Sequence, residues 1–196
     1  VAAPFEIIAA PFEVYLAPIG SAFPDLSITP PGPWVILGTS GNKNYHEDGI
    51  TVAHEQTIEV FRPLGTTAPR KAFRTEEELT ISLQVVDISA VQYAKIINRV
   101  SVTAVAAGSG VAGNSYFPLL QNMEVSTFMV LLKGAESAGG AAPFATQYEV
   151  PMAYNSGNPE LVFRKGEPVA LQCEFHALWD TALGFGKYRS QTAAAL

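Results

Sequence analysis

The stretch that most constrains this chain is residues 50–86, which read ITVAHEQTIEVFRP, then LGTTAPRKA, then FRTEEELTISLQVV. Both outer pieces alternate apolar and polar residues, the period-two pattern of a strand buried on one face. In the first, Ile50, Val52, Ile58 and Val60 fall on one side and Thr51, Ala53, Glu55, Thr57 and Glu59 on the other. In the second, Phe73, Leu79, Ile81, Leu83 and Val85 share a side opposite Arg74, Glu76, Glu78, Thr80, Ser82 and Gln84. The pattern predicts a long hairpin with one apolar and one carboxylate-bearing face. Its connection carries Pro63, Gly65 and Pro69 and is too long for a tight turn. Long loops on rigid hairpins commonly serve something outside their own subunit.

The rest of the chain reads as further short strands. Residues 1–9 are apolar and proline-punctuated, an N-terminal arm, and Ala3-Pro4-Phe5-Glu6 recurs as Ala10-Pro11-Phe12-Glu13. Residues 12–17 alternate as a strand, and five prolines over 18–33 make a loop. A short strand over 34–37 precedes a polar connection ending in Asp48-Gly49, a turn signal. Ser89, three residues before Gln92, predicts a capping box. The helix it opens puts Tyr93, Ile96 and Ile97 on one side and ends near Asn98. Residues 100–105 are β-rich, and 108–114 form a glycine-rich turn.

The unbroken apolar run over 125–132 fits a strand buried on both faces. A loop follows over 134–143. In 146–152, Gln147 and Glu149 oppose Tyr148, Val150 and Met152, and Pro151 predicts that this strand is short or ends early. In 169–178, Val169, Leu171, Cys173, Phe175 and Ala177 oppose Gln172, Glu174 and His176. Residues 179–196 lack a period and read as a C-terminal arm. Roughly seven to nine strands and one short helix predict a mainly β chain, an antiparallel sandwich or barrel.

At 196 residues the default is a single domain, with 48% hydrophobic and only 15% charged residues. So little charge suits a surface covered by neighbouring subunits. The net charge of −6 argues against a nucleic-acid binder, which carries a basic footprint. A lone Cys173 on an apolar face excludes an internal disulfide and reads as an inert core thiol. No apolar run reaches the ~18 residues of a membrane span, and no secretory signal is read at the start.

Catalytic and metal motifs are missing. None of His46, His54 and His176 has a second His or Cys at metal-ligand spacing, and His54 and His176, on polar strand faces, read as solvated or lumen-facing side chains. There is no nucleophile elbow or phosphate loop, and the Gly-x-Gly-x-x-Gly match at 108–113 precedes no helix. Glu55, Glu59, Glu76 and Glu78 have the chemistry of an acid/base pair or cation site, but their flanks are Thr, Ser and Gln. A solvated sheet face is the plain reading. With Glu149 and Glu174 they make a net-negative face shared by four strands, which repels phosphate. Arg62, Arg70, Lys71 and Arg74 form a basic cluster on an acidic protein, either a solvated tip or a docking element for acidic groups of a neighbour.

The segment over residues 45–87, YHEDGITVAHEQTIEVFRPLGTTAPRKAFRTEEELTISLQVVD, resembles the major tail tube proteins of long, flexible-tailed bacteriophages and related gene transfer agents. Residues 148–178, YEVPMAYNSGNPELVFRKGEPVALQCEFHAL, resemble the second half of the same fold. With the helix, the resemblance covers residues 10–180. It implies a single tail-tube domain over 1–196 that forms hexameric rings stacked into a hollow tube. Each subunit gives four strands to a continuous inner barrel, here residues 50–61, 73–86, 146–152 and 169–178. The implied lumen residues are Glu55, Glu59, Glu76, Glu78, Gln172 and Glu174. The implied ring-stacking loop is 62–72, centred on 64–71, with Arg62, Leu64, Arg70, Lys71 and Arg74.

The same resemblance implies partners: further copies of the chain, the tape measure, tail terminator and distal tail proteins, and genomic DNA passing the lumen without specific binding. It implies no enzyme activity, no cofactor, no metal and no membrane. The place of action is the virion tail, assembled in the bacterial host cytoplasm. Two other readings stay open: the tube of a contractile tail or type VI secretion system, and a monomeric β-sandwich binding module. A β-barrel enzyme using Glu55 and Glu78 ranks behind both.

Overall fold

Alternation of apolar and polar residues drives most of the chain into one antiparallel sheet. The computed structural model describes residues 11–97, 102–119, 125–135 and 145–191. In chain order these form β1 (Phe12–Ala17), β2 (Val35–Ile36), β3 (Tyr45–Phe61), β4 (Lys71–Val85), α1 (Ala90–Ile96), β5 (Thr103–Val105), β6 (Asn114–Tyr116), β7 (Phe128–Ala135), β8 (Ala145–Asn155), β9 (Leu171–Ala177) and β10 (Lys187–Ser190). The strand order is β2-β1-β7-β8-β9-β4-β3, with β10 also on β8 and β5–β6 a separate pair. The expected mainly β, antiparallel class holds, and α1 is the one α-helix among the described residues.

The expectation left sandwich and barrel open; apart from the β5–β6 pair, the described strands form one curled sheet. Val14 and Leu16 near one end share a core with Ile81, Leu83 and Val85 near the other, and with Val130, Val150, Cys173 and Phe175. The Tyr45 hydroxyl ties the ends together. It donates to the Leu37 carbonyl at 2.8 Å and accepts from the Val14 amide at 3.0 Å. Phe175, fully buried, meets the Phe128 ring edge-on at 5.6 Å. Cys173 is fully buried, and burial pushes its thiol far above the usual range, as an inert core thiol requires.

The sheet side away from this core is covered over only half its width. There Tyr15, Ala17, Met129 and Leu131 pack under Trp34 and Phe23 of the proline-rich loop. The Trp34 indole N–H anchors that loop to the Ala22 carbonyl at 2.9 Å. β7 is therefore buried on both faces, the reason its run is unbroken.

Several expectations are corrected by bulges. Asp48-Gly49 is not a turn ending a connection. It lies inside β3, where residues 46–49 sit between the pairs Tyr45–Val85 and Ile50–Leu83 and face Gln84 alone. Gly49 supplies the left-handed conformation there, at φ +76°. A second bulge follows the pair Thr57–Glu76, because Ile58 pairs with Arg74 and Thr75 is extra. Beyond it Phe73 lies on the side of Glu59, and Arg74 on the side of Ile58, the reverse of the simple alternation.

A third bulge sets Pro151 and Met152 against Met129, so Ala153 takes the core position expected of Met152. The strand does not end at Pro151. It changes neighbours there, from β10 beside residues 146–149 to β9 beside 153–155. A residue with no N–H is tolerated where one ladder stops and another starts.

The C-terminal segment is also corrected: residues 187–190 are a strand of the sheet and not an arm. The loop expected over 134–143 is corrected at its start, where residues 134–135 belong to β7; its remainder, 136–143, lies outside the described residues, as do residues 192–196 and the N-terminal arm 1–9. The helix cap is one-sided. Ser89 Oγ accepts from the Gln92 amide at 3.3 Å, but Gln92 Oε1 accepts from the Gly38 amide at 3.0 Å. The buried face of α1 is accordingly Gln92, Ala94 and Ile96.

Candidate functional site

Strands β8, β9, β4 and β3 are consecutive in the sheet. On their side away from the core, nothing among the described residues forms a hydrophobic cover. Register fixes what lies there. Glu55 faces Glu78, Thr57 faces Glu76, Glu59 faces Phe73, and from β9 Gln172 faces Gln84 and Glu174 faces Ser82. All six residues expected on the polar face, Glu55, Glu59, Glu76, Glu78, Gln172 and Glu174, share this side. Cross-strand carboxylates repel one another in a folded sheet, so a cation between them has a clear electrostatic role.

That cation is His176. Its Nε2 lies 3.0 Å from Glu174 Oε1, and its Nδ1 contacts Glu78 Oε1. Both ring nitrogens meet carboxylate oxygens, an arrangement that favours the doubly protonated imidazolium, with both nitrogens donating. Burial works against this charge, but the hydrogen bonds to Glu174 and Glu78 outweigh it and raise the pKa above its ordinary value. The Tyr154 ring packs beside the imidazole at 5.8 Å. Sequence reasoning left His176 as a solvated side chain. The available signal was its position two residues from Glu174 on the same strand face.

Glu149 is corrected. Its side of the sheet is the expected one, but it is 5% exposed and not part of the open face. Its Oε1 accepts from Arg189 Nη1 of β10 at 2.8 Å and from Gln147 Nε2 at 2.5 Å. Gln147 also donates to the Pro24 carbonyl at 3.0 Å, so strand β10 and the proline-rich loop close over this carboxylate.

The β3–β4 hairpin leaves the core near His54 and Leu79 and continues as an arm exposed on both faces. Leu64 is fully exposed, and Ile58, Val60, Phe61 and Phe73 are also exposed. On one face of the arm His54 Nε2 lies 2.7 Å from Glu77 Oε1, and Arg74 Nη1 lies 3.0 Å from Glu77 Oε2. The His54 hydrogen bond, helped by Arg74, lowers the Glu77 pKa. This explains a carboxylate on the nominally apolar side: it sits beyond the core and brings its own partners, His54 and Arg74. Lys71 and Arg74 belong to β4, with Lys71 Nζ 5.0 Å from the Phe73 ring centre, so of the expected ring-stacking residues only Arg62, Leu64 and Arg70 lie in the loop. Arg62 and Arg70 make no ion pair among the described residues. β3 is 17 residues long and, among the described residues, pairs only with β4.

Among the described residues no group of His, Cys, Asp and Glu side chains is placed to hold a metal ion. No helix there is long and apolar enough to cross a membrane. The sequence matches no known family model and no curated protein.

Proposed function

We propose that this chain is the structural subunit of a hollow tube, of the kind found in the tails of long, flexible-tailed bacteriophages and gene transfer agents. It is a self-assembling scaffold and not an enzyme. The observation that carries this reading is the divided outer side of the sheet. Over β1 and β7 that side is sealed by the proline-rich loop; over β3, β4 and β9 it is polar and acidic, with no cover among the described residues.

An acidic face on strands that continue from subunit to subunit suits a lumen for DNA, because like charge keeps phosphates from sticking. The outer edge of β3, unpaired among the described residues, supports the same reading. A long unpaired edge invites pairing with another chain, and closure into a ring removes it. The apolar arm adds to this, since soluble monomers seldom leave such side chains uncovered together. In the assembled tube Glu55, Glu59, Glu76, Glu78, Gln172 and Glu174 face the lumen, and the hairpin tip reaches the next ring.

Negative-stain electron microscopy of the purified chain across a concentration series tests the reading. Rings with a central hole, or hollow tubes, are the expected result. Particles of single-chain size at every concentration, with no capture of tail proteins from a phage lysate, would overturn it in favour of a monomeric binding module.

A further inference from the structure

We propose, resting on the tube reading above, that the hairpin tip of one subunit docks on the Glu47–Asp48 bulge of a second copy in the next ring. The β3–β4 hairpin is a rod of uneven charge. From Arg62 to Lys71 it carries three cations and no acid. Glu59, the nearest acid before the tip, makes no ion pair with them among the described residues. Leu64 stands fully exposed between the arginines.

At the other end of the same strand lies the wide bulge of residues 46–49. Glu47 and Asp48 are both exposed there, and the partner of Asp48 is His46, whose Nδ1 is 2.9 Å away. Lys43 in the preceding turn offsets one of the two carboxylates. The loop over 156–170 opens at this end too, since Leu171 faces Val85 and Val85 faces Tyr45. It adds no net charge: Arg164 pairs with Glu167 at 3.5 Å, and Lys165 balances Glu160. The base is therefore acidic and the tip basic. Ile88 and Val91, exposed beside the end of β4, offer Leu64 an apolar contact.

The two ends are roughly 50 Å apart along a strand of this length, so no subunit can bring its own tip to its own base. Rings stacked head to tail place one end of a subunit against the opposite end of the next by geometry alone. Opposite charge at those ends then gives the contact its polarity. Like ends repel, so all rings point one way.

The test uses three proteins: Arg62→Glu/Arg70→Glu, Glu47→Lys/Asp48→Lys, and the fourfold combination. None of the four side chains packs in the core, so each variant should still form rings. Either double reversal alone should give unstacked rings, with tube length cut about tenfold or more in salt near 0.1 M. The fourfold variant should stack again. An equimolar mixture of the two double variants should also form tubes, because each tip then meets a base of opposite charge. Rings that stack normally after the tip reversal would overturn the docking site and leave the tube reading standing. A fourfold variant or mixture that stays unstacked would place the acceptor elsewhere and also overturn it. A wild-type chain that makes no rings at all would instead remove the tube reading on which the docking rests.

Discussion

Replacing Arg189 with Met removes the one cation that, among the described residues, pairs with a buried carboxylate. Glu149 is 5% exposed, and its Oε1 holds Arg189 Nη1 at 2.8 Å and Gln147 Nε2 at 2.5 Å. Without the guanidinium, a buried charge keeps a single neutral donor. Breaking such a pair from one side costs about 3–5 kcal/mol. The Arg189 side chain is 37% exposed, so water reaches the vacated space and the lower end applies. The expected loss is about 3 kcal/mol, on the order of a hundredfold in the folding equilibrium. Glu149→Gln leaves Arg189 near water and near Asp25 Oδ1 at 3.8 Å, so its cost is smaller, about 1 kcal/mol. The double variant should then cost less than the sum, with a coupling of about 2 kcal/mol. Urea unfolding at neutral pH, read by circular dichroism with the slope held constant, measures all three. An Arg189→Met loss below about 1 kcal/mol, or costs that simply add, would refute the burial of Glu149 under β10. The C-terminal segment would then revert to a loosely attached arm.

Two further outcomes follow from local geometry. A Cβ on Gly186, at φ +130°, would stand 2.0 Å from the Glu149 carbonyl oxygen, whereas one on Gly20, at φ +88°, meets nothing within 4 Å. Gly186→Ala should lower the melting temperature by several times the shift of Gly20→Ala, and equal shifts would show that β10 does not approach β8 so closely. The His176 bridge predicts a pH profile. Its folded-state pKa is raised above the ordinary 6.5, so its stabilisation is complete below that value and fades as pH rises through the higher one. His176→Gln should flatten the dependence of the urea midpoint on pH above 6.5 relative to the wild type. Parallel curves for the two proteins would mean that the ring does not bridge Glu78 and Glu174.

Much of this protein is written locally. Alternation at 50–60, 79–85 and 171–177 specifies strands and the side each residue takes, because the pleat has a period of two and needs no knowledge of neighbours. The polar face of Glu55, Glu76, Glu78, Gln172 and Glu174 follows from that period. So do the burial of Cys173 and, from its capping serine, the start of α1. The sheet order was not legible in the same way. What only the tertiary structure decided is where the period breaks and what covers each face. The extra Thr75 turns Phe73 and Arg74 over, and Pro151–Met152 hands the core to Ala153. Both depend on how two strands align, which no single strand specifies. Glu149 and Glu174 have the same alternation and the same side of the sheet, yet one is sealed and the other is open. The difference comes from Pro24 and Arg189, 123 and 40 residues away from the side chains they hold. The bridge from His176 to Glu78 spans 98 residues. Burial and charge compensation are sums over spatial neighbours, and chain periodicity carries no record of which distant segment supplies them.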